Sequence, residues 1–420
     1  MPQNCLNAFA RHRTVKVKPQ DISIHDFSYD LPTEKIADFP LEKRDQSKLL
    51  HYKGGQISDR QFFELPELLD EGDLLVFNQT RVVQARLVFR NSSGARIEVF
   101  CLEPLSEPNM EQAMLQRNSA EWLCMVGRAA KWKEGEVLQR NDKETDISLQ
   151  VDNLGRTEEG FKIRFTWHPA ERCFAELLET FGKIPLPPYI KREPVEGDSE
   201  RYQTVYAREN GSVAAPTAGL HFTDAVLDDL QKKGVELGKL TLHVGAGTFK
   251  PVKAERMADH AMHEEKVIVG IDVIEQLANC KGRVMAVGTT SLRSLESLYW
   301  TALRLKNKPD SDWKIQVSQW EPYESGYMQV SFQELMAGLA DGMRQRGIQT
   351  LTGSTGLLIA PGYSLKVAEG LITNFHQPNS TLLLLVAAVI GEDWKKVYTH
   401  ALENGYRFLS YGDASLLEKK

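Results

Sequence analysis

The chain predicts a large layered α/β domain with a small antiparallel β-barrel domain inserted near its beginning. Two features lead there. Between Asp73 and Trp167 run seven short β-type segments, "DLLVFN", "RVVQARLVFR", "RIEVFCLE", "EWLCMVG", "EVLQR", "ISLQV" and "FKIRFTW", separated by turn residues. Many short strands at turn-bounded spacing are the pattern of a compact barrel or sandwich. On either side, strand-like and helix-like segments alternate, as in a sheet covered by helices. At 420 residues the chain also exceeds what a single core usually holds, about 250 to 300 residues.

The elements follow in order. Residues 1–20 form a loose extension, with no apolar periodicity before Ile22. Residues 21–72 and 169–420 are assigned to the large domain and 73–168 to the small one. "DAVLDDLQKK" is helical, with Thr223 as its N-cap and Gly234 beyond its end. "KLTLHVG" alternates as a strand. "VMAVGTTSLRSLESLYW" is an apolar strand turning at Gly288 into a helix capped by Thr289 or Thr290. Residues 303–346 are more polar and resemble an insertion. "GLLIA" and "GLITNF" read as strands, "STLLLLVAAVIG" and "WKKVYTHALENG" as helices, and "YRFLSYGDASLL" closes the chain.

Composition removes several function classes. The longest apolar run, Leu382 to Ile390, is far short of the roughly 20 residues that cross a bilayer, so no membrane span is expected. The amino terminus has no secretory h-region, which points to the cytoplasm. Five scattered cysteines without a C-x-x-C pair argue against a disulfide framework and a cysteine zinc site. A net charge of −6 gives no global attraction to nucleic acid, although a local basic patch would suffice for RNA.

Chemistry concentrates in loops of small residues. "GSVAAPTAGLHF" carries Ser212, Thr217, Gly219 and His221, and its glycines permit close backbone approach to a ligand. "HVGAGTF" repeats the device with His243, Gly245, Gly247 and Thr248. Gly288, Thr289 and Thr290 open a helix after a buried strand, where N–H groups favour an anion or polar ligand, or where the threonines merely cap. Arg293 and Glu296 would share a helix face as a local ion pair. His260 and His263, with Glu264 following, have metal-binding spacing on a helix, but no third ligand is indicated, so no metal is expected. Asn374 and His376 emerge at a strand end, the usual functional address of such sheets, and Ser380 caps the helix beyond. Tyr411 and Asp413 lie in "SYGDAS", where the aspartate could equally close a turn.

Ten blocks, among them "GDLLVFNQTRVVQARL", "KIPLPPYIKR", "GSVAAPTAGLHFT", "VGTTSLRSLES", "GLITNFHQPNSTLL" and "YRFLSYGDAS", stand in family order from Asp26 to about Leu417. Together they resemble the S-adenosylmethionine:tRNA ribosyltransferase-isomerase family of queuosine biosynthesis. The resemblance implies S-adenosylmethionine as a ribosyl donor and, as acceptor, tRNA with 7-aminomethyl-7-deazaguanine at the wobble position. Adenine and methionine would leave, giving epoxyqueuosine-tRNA without a metal. A base must take the proton beside the sulfonium and an acid must protonate departing adenine. His221, His243, His263 and His376 are the candidates, with His221 expected to face the sugar. Arg81 and Arg86 match a family motif and suit RNA phosphate or a ligand carboxylate. Ser415, Gln377 and Val83–Ala85 depart from the family pattern. They leave open a paralogue with another acceptor, or a catalytically silent RNA-binding protein. Oligomeric state is not expressed in the sequence.

Overall fold

A computed structural model describes residues 18–107, 110–212, 214–243, 252, 254–324 and 330–420. Its centre is a mixed ten-stranded sheet. In spatial order the strands are Ile315–Val317, Thr350–Thr355, Glu265–Gly270, Glu236–His243, Leu74–Asn78, Val284–Val287, Gly370–Asn374, Ala414–Glu418, Lys48–Lys53 and Gln56–Gln61. The four from Glu236–His243 to Gly370–Asn374 run parallel, so their carboxyl ends open on one side.

The Leu74–Asn78 strand, expected in the small domain, is instead at the middle of this sheet. All five of its residues are buried. Leu74 and Val76 enter one apolar cluster while Leu75 and Phe77 enter another on the opposite face. A strand buried on both faces belongs inside a parallel sheet between helical layers, not in a half-solvated barrel.

Helices cover both faces. Asp224–Lys232 packs on one, its Val226 and Leu230 in the cluster with Phe77, and Thr223 Oγ1 caps it by accepting from Val226 N–H at 3.3 Å. On the other lie Thr289–Asn307, Phe332–Arg346 and Thr381–Ile390. The described parts of the segment 303–346 therefore belong to the layer. Leu335, Met336, Leu339 and Met343 of its helix are buried, and Ile315–Val317 is the sheet's edge strand. Its polar composition reflects the outward faces of an edge strand and an amphipathic helix. "GLLIA" is buried but forms no strand.

Within Thr289–Asn307, Arg293 and Glu296 do not pair with each other. Arg293 meets Glu265 at 2.9 Å. Glu296 accepts from the N–H groups of Lys366, Val367 and Ala368 at 2.8, 3.0 and 3.1 Å and from the Tyr363 hydroxyl at 2.8 Å. Both are buried, and burial selects close partners in three dimensions over weak neighbours along a helix.

A second, wholly antiparallel sheet runs Gly182–Lys183, Arg86–Arg90, Arg96–Pro104, Ser119–Gly127, Phe161–His168, Ile147–Arg156 and Leu138–Asp142. It curls around its own core of Trp122, Phe165 and Trp167, covered by helix Phe174–Phe181. Arg140 Nη1 reaches from the last strand to the Phe181 and Val88 carbonyls at 2.9 and 3.5 Å. Among the described residues, however, Leu138–Asp142 forms no backbone ladder with Arg86–Arg90.

Candidate active site at the ends of the parallel strands

Where the parallel strands end, the chain places polar residues. Asn78, Gly288 and Asn374 follow or finish three adjacent strands and line a crevice of about 130 Å³. Its other walls come from Ala214–Ala218 and Thr373–Ser380. Ligands favour this position in layered α/β sheets because loops diverge there.

Gly288 makes the turn with φ +93°, a conformation that costs an L side chain energy but not glycine. It is itself the N-cap of Thr289–Asn307, without a side-chain cap bond. Thr289 and Thr290 thus lie in the first turn and line the crevice instead of capping. The neighbouring apolar helix is different: Ser380 Oγ accepts from Leu383 N–H at 3.3 Å. First-turn donors left without a side-chain cap are positioned for a polar ligand.

Three buried polar atoms in the crevice residues have no hydrogen-bond partner among the described residues: Asn78 Nδ2, Ser291 Oγ and Asn374 Oδ1. An unmet buried donor or acceptor costs about 1 to 3 kcal/mol. Asn78 is fixed because its Oδ1 accepts from Thr80 N–H at 2.9 Å and Thr80 Oγ1 at 2.6 Å. Asn374 is fixed because its Nδ2 lies 3.1 Å from His221 Nε2. These amides are held in place with one capacity unused.

His221 is only 4% exposed. Its Nε2 accepts from Asn374 and its Nδ1 meets Ser47 Oγ at 2.8 Å, so both ring nitrogens are engaged. Burial first, then the positive charges of Arg407 and Arg44, push its pKa down to about 3. His376 is half-buried and lines the crevice directly. Its Nε2 lies 2.9 Å from Thr373 Oγ1, its N–H donates to Tyr398 Oη at 3.1 Å, and the Tyr29 hydroxyl donates to its carbonyl. Burial lowers its pKa to about 4. Both imidazoles are neutral at pH 7.

Ser410 lines the crevice and also a hollow of about 20 Å³ beside His221, flanked by Arg44, Arg201 and Arg407. Arg44 lines in turn a broad cleft of about 610 Å³ that holds Arg81.

Among the residues singled out from sequence, Thr217, Gly288, Thr289, Thr290, Asn374, His376 and Ser380 line the crevice. His221 backs it through Asn374. Gly219 is buried below, where a Cβ would lie 1.9 Å from Tyr206 Oη. Ser212 Oγ donates to Ala214 O at 2.6 Å. Tyr411 lines the hollow and donates to Asp198 at 3.1 Å. Asp413 accepts from Lys48 N–H at 3.0 Å and Arg407 N–H at 2.8 Å, an internal brace. Arg86 pairs with Glu98 at 2.6 Å in the curled sheet. His263 and Glu264 are exposed, outside the crevice walls, and not on a helix; Glu264 accepts from Ser354 Oγ at 2.7 Å. Among the described residues no group of three or more His, Cys, Asp or Glu could hold a metal. His243 ends its strand, while Gly245, Gly247 and Thr248 lie outside the described residues.

Sequence reasoning passed over Asn78, Thr373 and Ser410. The available signal was a polar residue closing an otherwise apolar strand, as Asn78 does in "DLLVFN".

Comparison with known proteins converges on one family. A family model described as "Queuosine biosynthesis protein" matches residues 24–417. An S-adenosylmethionine:tRNA ribosyltransferase-isomerase from Azoarcus sp. is 40% identical over 402 residues, covering 95% of this chain and 98% of the relative. The protein of that name from Aromatoleum aromaticum is 42% identical over 400 residues, covering 94% and 97%. A crystal structure of S-adenosylmethionine tRNA ribosyltransferase from Thermotoga maritima is 30% identical, covers 93% of this chain and 99% of that one, and has a TM-score of 0.44. On the family match and the near-full-length identities, the chain belongs to the queuosine biosynthesis protein family.

Proposed function

We propose that the chain is an S-adenosylmethionine:tRNA ribosyltransferase-isomerase working in the cytoplasm. It transfers and isomerises the ribosyl group of S-adenosylmethionine onto 7-aminomethyl-7-deazaguanine at the tRNA wobble position, releasing adenine and methionine. The relatives' shared name supports the reaction. The observation that carries the site is one crevice whose wall residues include a neutral, half-buried histidine and three residues that each hold a buried polar atom without a partner among the described residues. The curled sheet and its covering helix are read as a barrel-like domain inserted into the large layer.

Side-chain roles follow from chemistry. Asn78, Ser291 and Asn374 offer donors and acceptors to the uncharged parts of the donor. Among the described residues the crevice walls carry no arginine or lysine, which suits a sulfonium cation. His376 removes the proton beside the sulfonium. Burial that keeps its imidazole in the base form at pH 7 also makes the imidazolium a strong acid, fit to protonate departing adenine. His221 holds Asn374 in position.

Adenine release from S-adenosylmethionine tests the proposal, measured with deazaguanine-containing tRNA, unmodified tRNA and no RNA. Release only with the first is expected. Release only with a different RNA would overturn the acceptor, and no release under any condition would overturn the activity.

A further inference from the structure

Arg44, Arg201 and Arg407 converge on the hollow that shares Ser410 with the crevice. Among the described residues neither Arg44 nor Arg201 has a carboxylate within 4 Å, and Arg407 has only Asp413 at 3.5 Å. Their donors go to backbone carbonyls instead: Arg44 Nη1 to Gln203 O at 2.9 Å, Arg201 Nη1 to Glu42 O at 3.0 Å and Nη2 to Leu41 O, and Arg407 Nη1 to Phe39 O at 3.3 Å. Burial and the charge of Arg201 push the Arg44 pKa down, while the charges of Glu200, Asp224 and Asp45 offset part of this. Three guanidiniums held around one small hollow repel one another unless an anion joins them.

The hollow also shares a wall residue with each of two larger spaces. Ser410 lines both it and the crevice, and Arg44 lines both it and the Arg81 cleft, whose walls also hold Glu179, Glu200 and Asp224. Beside the hollow Phe39 is 53% exposed, with the Arg192 guanidinium 3.9 Å from its ring centre. Single-stranded RNA is gripped through phosphates and through unstacked bases laid on aromatic rings.

We infer that the hollow framed by Arg44, Arg201 and Arg407 seats one phosphodiester of the RNA substrate beside the reacting nucleotide, with Phe39 stacking a neighbouring base. This rests on the proposed function for the identity of the RNA. It adds where the RNA is held, by a positive site separate from the crevice that takes the donor, which carries no charged side chain among the described residues.

The test measures tRNA affinity against salt concentration, and separately S-adenosylmethionine affinity, for wild type, Arg201→Gln and Phe39→Ala. Arg201→Gln should weaken tRNA binding about tenfold and lower the slope of log K against log salt by about 1. Phe39→Ala should weaken tRNA binding about five- to tenfold with little change of slope, since stacking carries no charge. Donor affinity should stay within twofold in both. The exposed Phe39 guards against misfolding of the arginine variant. Unchanged tRNA affinity in a folded Arg201→Gln and in Phe39→Ala overturns the inference. So does a loss of donor affinity with tRNA binding intact, which would make the occupant the donor's carboxylate. Because binding needs no turnover, arginine-dependent tRNA binding without adenine release would overturn the functional reading and leave the phosphate seat standing.

Discussion

The crevice and the hollow share the wall at Ser410, yet they are built from opposite chemistry. The crevice presents amides, hydroxyls and a neutral imidazole. The hollow presents three permanent positive charges. A sulfonium would be repelled by the second and is tolerated by the first, while an RNA phosphate has the reverse preference. Their contact also has a consequence for the histidines. Arg407 and Arg44 help hold His221 neutral, so the arginine cluster stabilises the base form of the imidazole at its border.

The comparison breaks most visibly at the two imidazoles. On the proposed assignment, replacing His376 with Ala lowers turnover by about 10² to 10⁴, with donor affinity changed only a few-fold. His221→Ala, which removes a support of Asn374, should cost less. An equal loss in two well-folded variants, in single-turnover adenine release, would put both histidines in the same role.

Asp413 braces the hollow from behind. Asp413→Ala removes the acceptor of Lys48 N–H and Arg407 N–H and should destabilise the protein by about 3 kcal/mol in urea unfolding. A loss below about 1 kcal/mol would make it an ordinary turn residue.

Acid should act through the neutral histidines. Their folded pKa values, about 3 for His221 and about 4 for His376, lie below the unfolded value near 6.5. Between those limits the unfolded chain binds more protons, so stability falls as pH drops from about 6.5 towards 4. Each histidine contributes at most about 1.4 kcal/mol per pH unit. Unfolding free energies measured from pH 7.5 to 5 should show a shallower slope in His221→Gln than in wild type. An identical slope would refute the buried neutral state.

The smallest effect separates binding from folding. Ser291→Ala deletes an orphaned hydroxyl, so unliganded stability should hold or rise by about 1 kcal/mol. Donor affinity, by calorimetry, should weaken about fivefold. Lower stability with unchanged affinity would make Ser291 structural.

Sequence patterns conveyed the strand-and-turn punctuation well. Thr223 and Ser380 cap the helices they precede, and Gly288 makes the strand-to-helix turn. These are local signals, resolved within a few residues. Membership of a sheet is not local: Leu74–Asn78 looked like its β-rich neighbours, and only its two-sided burial places it in the large sheet. The same applies to partners. Glu296 found three backbone donors some 70 residues away, and Asn78 became a site residue because strands distant in sequence end beside it. Orphaned hydrogen-bonding capacity is a property of packing, so no motif announces it.

The decisive measurement is a crystal structure with S-adenosylmethionine bound. The donor should lie in the crevice, with its polar atoms within hydrogen-bond distance of Asn78 Nδ2, Ser291 Oγ and Asn374 Oδ1 and its sulfonium-bearing carbon next to His376. A donor bound in the Arg81 cleft, with the crevice empty, would contradict that placement.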